Sequence, residues 1–290
     1  MSFLQALAIF AAGLAAGTIN TVVGSGTLIT FPTLLAFGYP PVLANVSNNV
    51  GLVPGVASGV HGYRAELGGQ RARIIRLGSA SLCGGLLGAI LLLVLPAGAF
   101  KAIVPALIGL AVVMVIIQPR LARWMARRQA ERAAARARGR DAPDSPPDSP
   151  PPAGAGTTTV GVRPATVVSR AAGAAGGPVL WFLVFCAGVY GGYFGAAQGV
   201  LLIGLLGIAF DDGLQRINAA KNVLAGLVNG VAAVVFIALT HVDWRIAGLI
   251  AAGSILGGQL GARVGRRLPP WGLRLLIVCV GVAALVKLLA

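Results

Sequence analysis

Residues 13–32 read GLAAGTINTVVGSGTLITFP, an apolar stretch that runs into a polar, glycine-dense knot around Gly24-Ser25-Gly26. A weaker version returns 175 positions later, where residues 188–199 read GVYGGYFGAAQG. Each knot is followed by an amide-rich segment, ANVSNN at 44–49 and INAAKN at 217–222. Glycine costs about 1 kcal/mol relative to alanine inside a helix, so Gly24 and Gly26 predict a helix interruption at Ser25. Broken backbone within a bilayer persists only against protein or a water-filled cavity. A duplicated apolar half, interrupted at matching positions, points to a transporter with its site at the interruption.

Composition agrees with a membrane protein. Apolar residues make up 57% of the chain and charged residues only 11%, with a mean hydropathy of +0.85. A soluble domain carries roughly a quarter charged residues. Apolar runs at 3–23, 42–60, 77–95, 103–117, 180–210 (interrupted), 223–239, 246–262 and 273–289 reach or approach the roughly 20 residues that cross a hydrocarbon core. No strand-length alternation accompanies them, so helices rather than a barrel satisfy the backbone. The fold expected is an all-α integral membrane protein of about eight transmembrane helices in two repeated halves, with interrupted helices at the repeat starts. The run at 3–23 lacks a basic leading segment and carries the first knot, so it reads as a retained helix rather than a signal peptide.

The halves are divided by 119–177, leaving a first repeat at 1–118 and a second at 178–290. Arginines recur at helical spacing from Arg120 to Arg132, predicting a basic amphipathic extension on the headgroup surface. The Pro-, Ser- and Asp-rich run that follows cannot bury a core and reads as a disordered tether. Ten arginines and four acids lie between Pro119 and Gly177, and four arginines with one glutamate between Gly62 and Leu77. Such clusters beside spans mark cytoplasmic loops of a multi-pass plasma-membrane protein, and account for the net charge of +15 without nucleic acid. One conflict remains. Four crossings per half would put Arg263, Arg266, Arg267 and Arg274 outside, whereas an inverted second half, with an odd number of crossings, would bring them back.

The residues that can meet a solute are polar groups at the knots. In the first, Asn20, Gly24, Ser25, Gly26 and Thr27 offer hydroxyls, an amide and backbone N–H groups at a helix start, a cradle for an anion. In the second the matching positions are Tyr193, Gly195, Gln198 and Gly199. Asn45, Ser47, Asn48 and Asn49 in the first half, and Asn218, Lys221 and Asn222 in the second, are costly in a membrane unless paired or wet. Asn45 or Ser47 capping a helix start is the plain alternative; for Lys221 the alternatives are attracting an anion or snorkelling to the interface. Glycines four apart, such as Gly13/Gly17, Gly84/Gly88, Gly188/Gly192 and Gly253/Gly257/Gly261, predict close helix packing in lipid. Cys83, Cys186 and Cys279 stand singly and read as buried small hydrophobes, while His61 and His241 lack partners for a metal site. No carboxylate lies well inside a span, no phosphate-binding loop occurs, and no nucleophile–base pair suggests an enzyme.

The duplicated break, the Pro32 after it, the stretch ANVSNNVGLVPG at 44–55 and the closing GGQLGARVGRRLP at 257–269 resemble the sulfite exporter TauE/SafE family. The likeness covers nearly the whole chain except 120–177. It implies a duplicated polytopic transporter of sulfur-containing or organic anions, such as sulfite, sulfonates or sulfoacetate-like compounds. The second knot has fewer glycines than the family pattern and Ile203 near the position of Pro32, which implies an asymmetric site. The function expected is secondary transport of a small anion, most simply export of sulfite or a related organosulfonate, with the lipid bilayer as surroundings and no cofactor. Homo-oligomerisation is left open. The alternative is a non-transporting assembly or sensor subunit, its glycine faces and basic arm binding a partner.

Overall fold

The computed structural model describes residues 1–140 and 177–264, together with 278–280, 282 and 286. The predicted tether beyond Arg140 and most of the predicted last span at 273–289 lie outside the described residues. The helices are α1 (Phe3–Val22), α2 (Thr27–Ala36), α3 (Pro41–Gly62), α4 (Arg71–Val94), α5 (Ala97–Arg140), α6 (Pro178–Tyr193), α7 (Gln198–Ala209), α8 (Leu214–Leu239) and α9 (Trp244–Val264), with a 3₁₀ turn at Arg64–Leu67. No strand occurs among the described residues. Local signals set several starts. Ser2 and Gln5 form a reciprocal capping box on α1, and Pro41 and Pro178 begin α3 and α6, where the missing N–H is not needed.

Among the described residues, four helices are long and apolar enough to cross a membrane: Phe3–Val22, Arg71–Val94, Gly98–Arg120 within α5, and Leu214–Leu239. Thr27–Ala36, Pro178–Tyr193 and Gln198–Ala209 are apolar but shorter. Helix α4 shows how these elements are dressed. It buries Gly84, Gly85 and Gly88 and exposes Leu82, Leu86, Ile90 and Val94, the reverse of a helix that faces water. The cysteines differ from expectation for the same reason: Cys83, Cys186 and Cys279 are exposed on outer faces. A thiol tolerates lipid, so burial is not required of it.

The glycine faces make two tight seams. Along α1 and α9, a side chain at Gly13 or Gly17 would collide with the backbone of Ile250 or Ser254, and one at Gly253, Gly257 or Gly261 with that of Phe10, Leu14 or Thr18. Along α4 and α6, Gly84, Gly88 and Gly192 meet the backbones of Phe185, Val189 and Gly85. Residue numbers rise together on both sides of each seam, so both pairs run parallel. Helix α3 also runs parallel to α9, with Gly51, Gly55 and Gly62 against Ile250, Ser254 and Ala262. It crosses α8 in the opposite sense, Gly226 lying by Val56 and Ala219 by Tyr63. Helices from before and after residues 141–176 therefore interleave.

These directions gather the charged ends. Asp212 accepts from Arg73 Nη1 at 2.5 Å and from Arg216 Nε at 3.2 Å, and Gln70 Nε2 donates to Arg216 O at 3.1 Å. The end of α3 and the end of α9 join this face through Tyr63, Ala219 and Ala262, which pack together. Arg263 thus lies at the end that carries Arg64–Arg76. The opposite end is tied by the Asp243 N–H donating to Ser47 Oγ at 3.0 Å. Arg263 comes to that end because the first break is a reversal. Gly26 sits against the Ala16 carbonyl and, for a built Cβ, 3.1 Å from Asn20 Cβ, so α2 turns back along α1 and adds a leg to the first half.

Candidate functional site

Helix α1 ends because Gly24 takes φ +91°, a left-handed conformation that turns the chain. The Gly24 N–H then donates to Ile19 O rather than continuing the helix ladder to Asn20 O. That leaves the last carbonyls of α1 open, and α8 covers them. Lys221 Nζ donates to Asn20 O at 2.9 Å and Thr21 O at 3.2 Å. Asn218 Nδ2 and Asn222 Nδ2 donate to the same Thr21 O at 3.1 and 3.3 Å. Lysine and helix C-terminus are complementary in charge. Lys221 is 1% exposed, so it does not snorkel, and it is the only charged side chain in the buried set of described residues.

The start of α2 is left differently. The N–H groups of Ser25, Gly26 and Thr27 find no partner among the described residues, and no side chain caps this helix. Unpaired N–H groups at the positive end of a helix favour negative charge. Ser25 Oγ, fully buried, also lacks a partner, as do Thr30 Oγ1, Asn48 Oδ1, Asn49 Oδ1, Asn218 Oδ1, Gln198 Nε2 and Tyr193 OH. Each such group costs about 1–3 kcal/mol when it stays unsatisfied. Most of the unpartnered buried polar atoms of the described residues thus lie on the knots and amide segments; Arg73, Ser81 and Gln118 carry others elsewhere. Asn48 Nδ2 reaches Thr27 Oγ1 at 3.5 Å, at the edge of bonding distance.

The second break is tied down instead. Gly195 turns the chain at φ +77° and Ala197 follows at φ +62°. Tyr190 OH donates to Ala196 O, and Asn45 Nδ2 donates to Tyr193 O at 3.0 Å. The Gly199 N–H, at the start of α7, is used up: it donates to Gly24 O at 3.1 Å. This contact joins the two breaks, and neither glycine leaves room for a Cβ against the other's backbone. Gln198 folds back onto Gly191. Phe31 and Phe194, ring centroids 5.1 Å apart, and Phe100 and Tyr193, 5.7 Å apart, fill the space beside the breaks.

The predicted residues therefore divide. Asn20, Gly24, Ser25, Gly26, Thr27, Asn48, Gly199, Asn218, Lys221 and Asn222 meet at the first break. Asn45, Tyr193, Gly195 and Gln198 belong to the second, Ser47 holds the turn before α9, and Asn49 is half-buried one residue beyond Asn48. Neither Asn45 nor Ser47 caps α3, which begins at Pro41, so both lie inside the helix. Thr21, whose carbonyl collects three donors, and Thr30, whose hydroxyl has none, were not among the predicted residues. Thr21 sits within the first knot, but a backbone acceptor leaves no mark on residue type. An apolar groove of about 420 Å³ opens between α5, α6 and α7, lined by Leu110, Met114, Tyr190 and Leu201 among others; it holds none of the predicted site residues.

A family model, sulfite exporter TauE/SafE, matches residues 9–288. The chain belongs to the TauE/SafE family. It is also similar to a probable membrane transporter protein, ORF9, from Sinorhizobium sp, at 24% identity over 283 residues, covering 97% of this chain and 91% of that protein. No solved structure matches the chain. This TauE/SafE protein is accordingly a multi-pass membrane protein of a transporter family, and most of the unpartnered buried polar atoms of its described residues lie at the two breaks and the amide segments.

Proposed function

We propose that this protein is a secondary transporter that exports a small anion, sulfite or a related organosulfonate, through the first break. The observation that carries the reading is the meeting of three free N–H groups, the unpartnered Ser25 hydroxyl and the Lys221 ammonium at one interruption. An anion there would take its oxygens to the N–H groups of Ser25, Gly26 and Thr27 and to Ser25 Oγ, with Lys221, Asn48 and Asn49 around it. The second break supports the first through Gly199 and Asn45. Export fits the energetics. Each negative charge moved outward gains about 2.3 kcal/mol per 100 mV of inside-negative potential, and no carboxylate is buried among the described residues to relay protons.

The topology that goes with this reading has a second half inverted relative to the first, about eight helices counted with each broken pair as one. The parallel seams α1–α9 and α4–α6, which are related by exchanging the halves, support it. The end carrying Arg64–Arg76 and Arg263, together with 119–177, faces the cytoplasm of a plasma membrane, as the positive-inside rule requires. The test is sulfite efflux from cells or vesicles. Asn20→Ala and Asn49→Ala are expected to cut it at least tenfold with membrane levels unchanged. Efflux at the parental rate from both variants would place the site elsewhere.

A further inference from the structure

We propose that the groove between α5, α6 and α7 binds one anionic phospholipid, with an acyl chain along the groove and the phosphate on the arginines that continue α5. The directions of the helices set the two ends of the groove. Tyr190 and Val200 line it beside the second break, where Tyr190 OH donates to Ala196 O. Leu205 and Ile208 line its other end, from which α7 leads to Phe210 and Asp212. There the Arg73 guanidinium lies 3.6 Å from the centroid of the Phe210 ring and pairs with Asp212. Helix α5 begins near the break, with Phe100 against Tyr193, so Ile117 and Gln118 line the groove at the charged end. The groove therefore opens toward Arg120–Arg128.

Its chemistry changes along its length as a lipid's does. Leu110, Met114 and Ile117 share one face of α5, and steps of seven and four carry that face on to Trp124 and Arg128. Tryptophan settles at headgroup depth, and the Arg128 guanidinium lies over the Trp124 ring, 4.3 Å from its centroid. Arg120, Arg123, Trp124 and Arg127 surround a cleft of about 210 Å³. Residues 120–128 hold four arginines and no acid. None of the four pairs with a carboxylate among the described residues, whereas Arg73 and Arg216 share Asp212. Guanidinium groups suit phosphate, which they can hold by two parallel hydrogen bonds. Between the two regions stands Gln118, a polar group in the groove wall, 6% exposed and with no partner for its Oε1. It lies about 9 Å along the helix from Trp124, where hydrocarbon gives way to ester and hydroxyl groups. A second copy docked symmetrically would bring its own arginines against these, and like charges would oppose it.

The experiment uses the whole protein in detergent and measures binding of phosphatidylglycerol and phosphatidylcholine of equal chain length by native mass spectrometry. The expected result is one phosphatidylglycerol per chain, held about tenfold more tightly than phosphatidylcholine or better. Arg120→Gln combined with Arg128→Gln should remove that preference and leave phosphatidylcholine binding as it was; a merely structural role would weaken both. Cys186→Trp, at an exposed position in the groove wall, should displace the lipid with helix content unchanged. Equal binding of the two lipids would overturn the proposal. So would phosphatidylglycerol held as tightly by Cys186→Trp as by the parent, because the headgroup would then bind without the groove. A dimer that persists without lipid and dissociates in Cys186→Trp would give the groove to a second copy. Phosphatidylglycerol bound only after removal of 142–177 would give it to that segment of the chain. Either result overturns the proposal. The comparison of lipids needs no variant, so it holds even where Cys186→Trp does not fold, and it does not depend on which solute the first break carries.

Discussion

Replacing Gly24 by alanine tests whether the two breaks support each other, and Gly38 supplies the control. Both glycines are left-handed, at φ +91° and +85°, and alanine in that region costs about 1–2 kcal/mol. Their surroundings differ. A Cβ at Gly38 meets nothing within 4 Å, whereas one at Gly24 would enter the backbone of Gly199. Backbone cannot step aside as a side chain does, so Gly24→Ala adds an overpacking cost of about 1–3 kcal/mol and breaks the Gly199 N–H to Gly24 O bond. Gly38→Ala should therefore lower stability by about 1–2 kcal/mol, and Gly24→Ala by about 2–5 kcal/mol. The assay is thermal unfolding of purified protein in detergent, where each kcal/mol corresponds to roughly 2–4 °C for a body of this size. Anion flux should survive the first substitution and be lost in the second. Equal melting temperatures for the two variants would refute the argument, because they would mean that the breaks do not touch.

Three further outcomes follow from the same geometry. Ser25→Ala should leave stability unchanged or raise it by up to about 1 kcal/mol, since an unsatisfied buried hydroxyl is removed, yet lower flux; melting and transport measured on one preparation separate the two effects. In a background lacking the three native cysteines, cysteines placed at Ala65 and Arg263 should react with an impermeant maleimide from the same side of the membrane. A cysteine at His241 should react from the other side, and labelling of all three from one side would contradict the parallel seams. Deleting 142–177 should leave flux within about twofold of the parent, since a tether acts through reach rather than contact; loss of flux with normal expression would give that segment a function.

Much of this architecture was legible because bilayer physics is strict. Long apolar runs marked most of the helices, and glycines four apart marked the seams where Gly84 meets Phe185 and Gly257 meets Leu14. The knots marked the breaks because Gly24 and Gly195 must turn left-handed. What residue types do not encode is direction. Reversal at Gly26 against Ala16 adds a leg to the first half, and no spacing rule distinguishes a kink from a return. The division of labour between the breaks was also hidden. Gly24 and Gly199 are alike as residues, yet one offers its carbonyl and the other spends its N–H on it. Asn45 and Asn218 occupy matching positions in the two amide segments, and each caps the end of the broken helix of the other half, at Tyr193 O and Thr21 O. Only the interleaving of helices, which depends on pairing across the whole chain, brings those partners together.

The most direct measurement is counterflow of radiolabelled sulfite and ethanesulfonate in proteoliposomes under an imposed potential, on the parent and on Ser25→Leu, whose side chain would fill the space before the free N–H groups of α2. The account predicts saturable flux of at least one of these anions that rises with potential in the parent and vanishes in the folded variant. Flux through Ser25→Leu at the parental rate would contradict it.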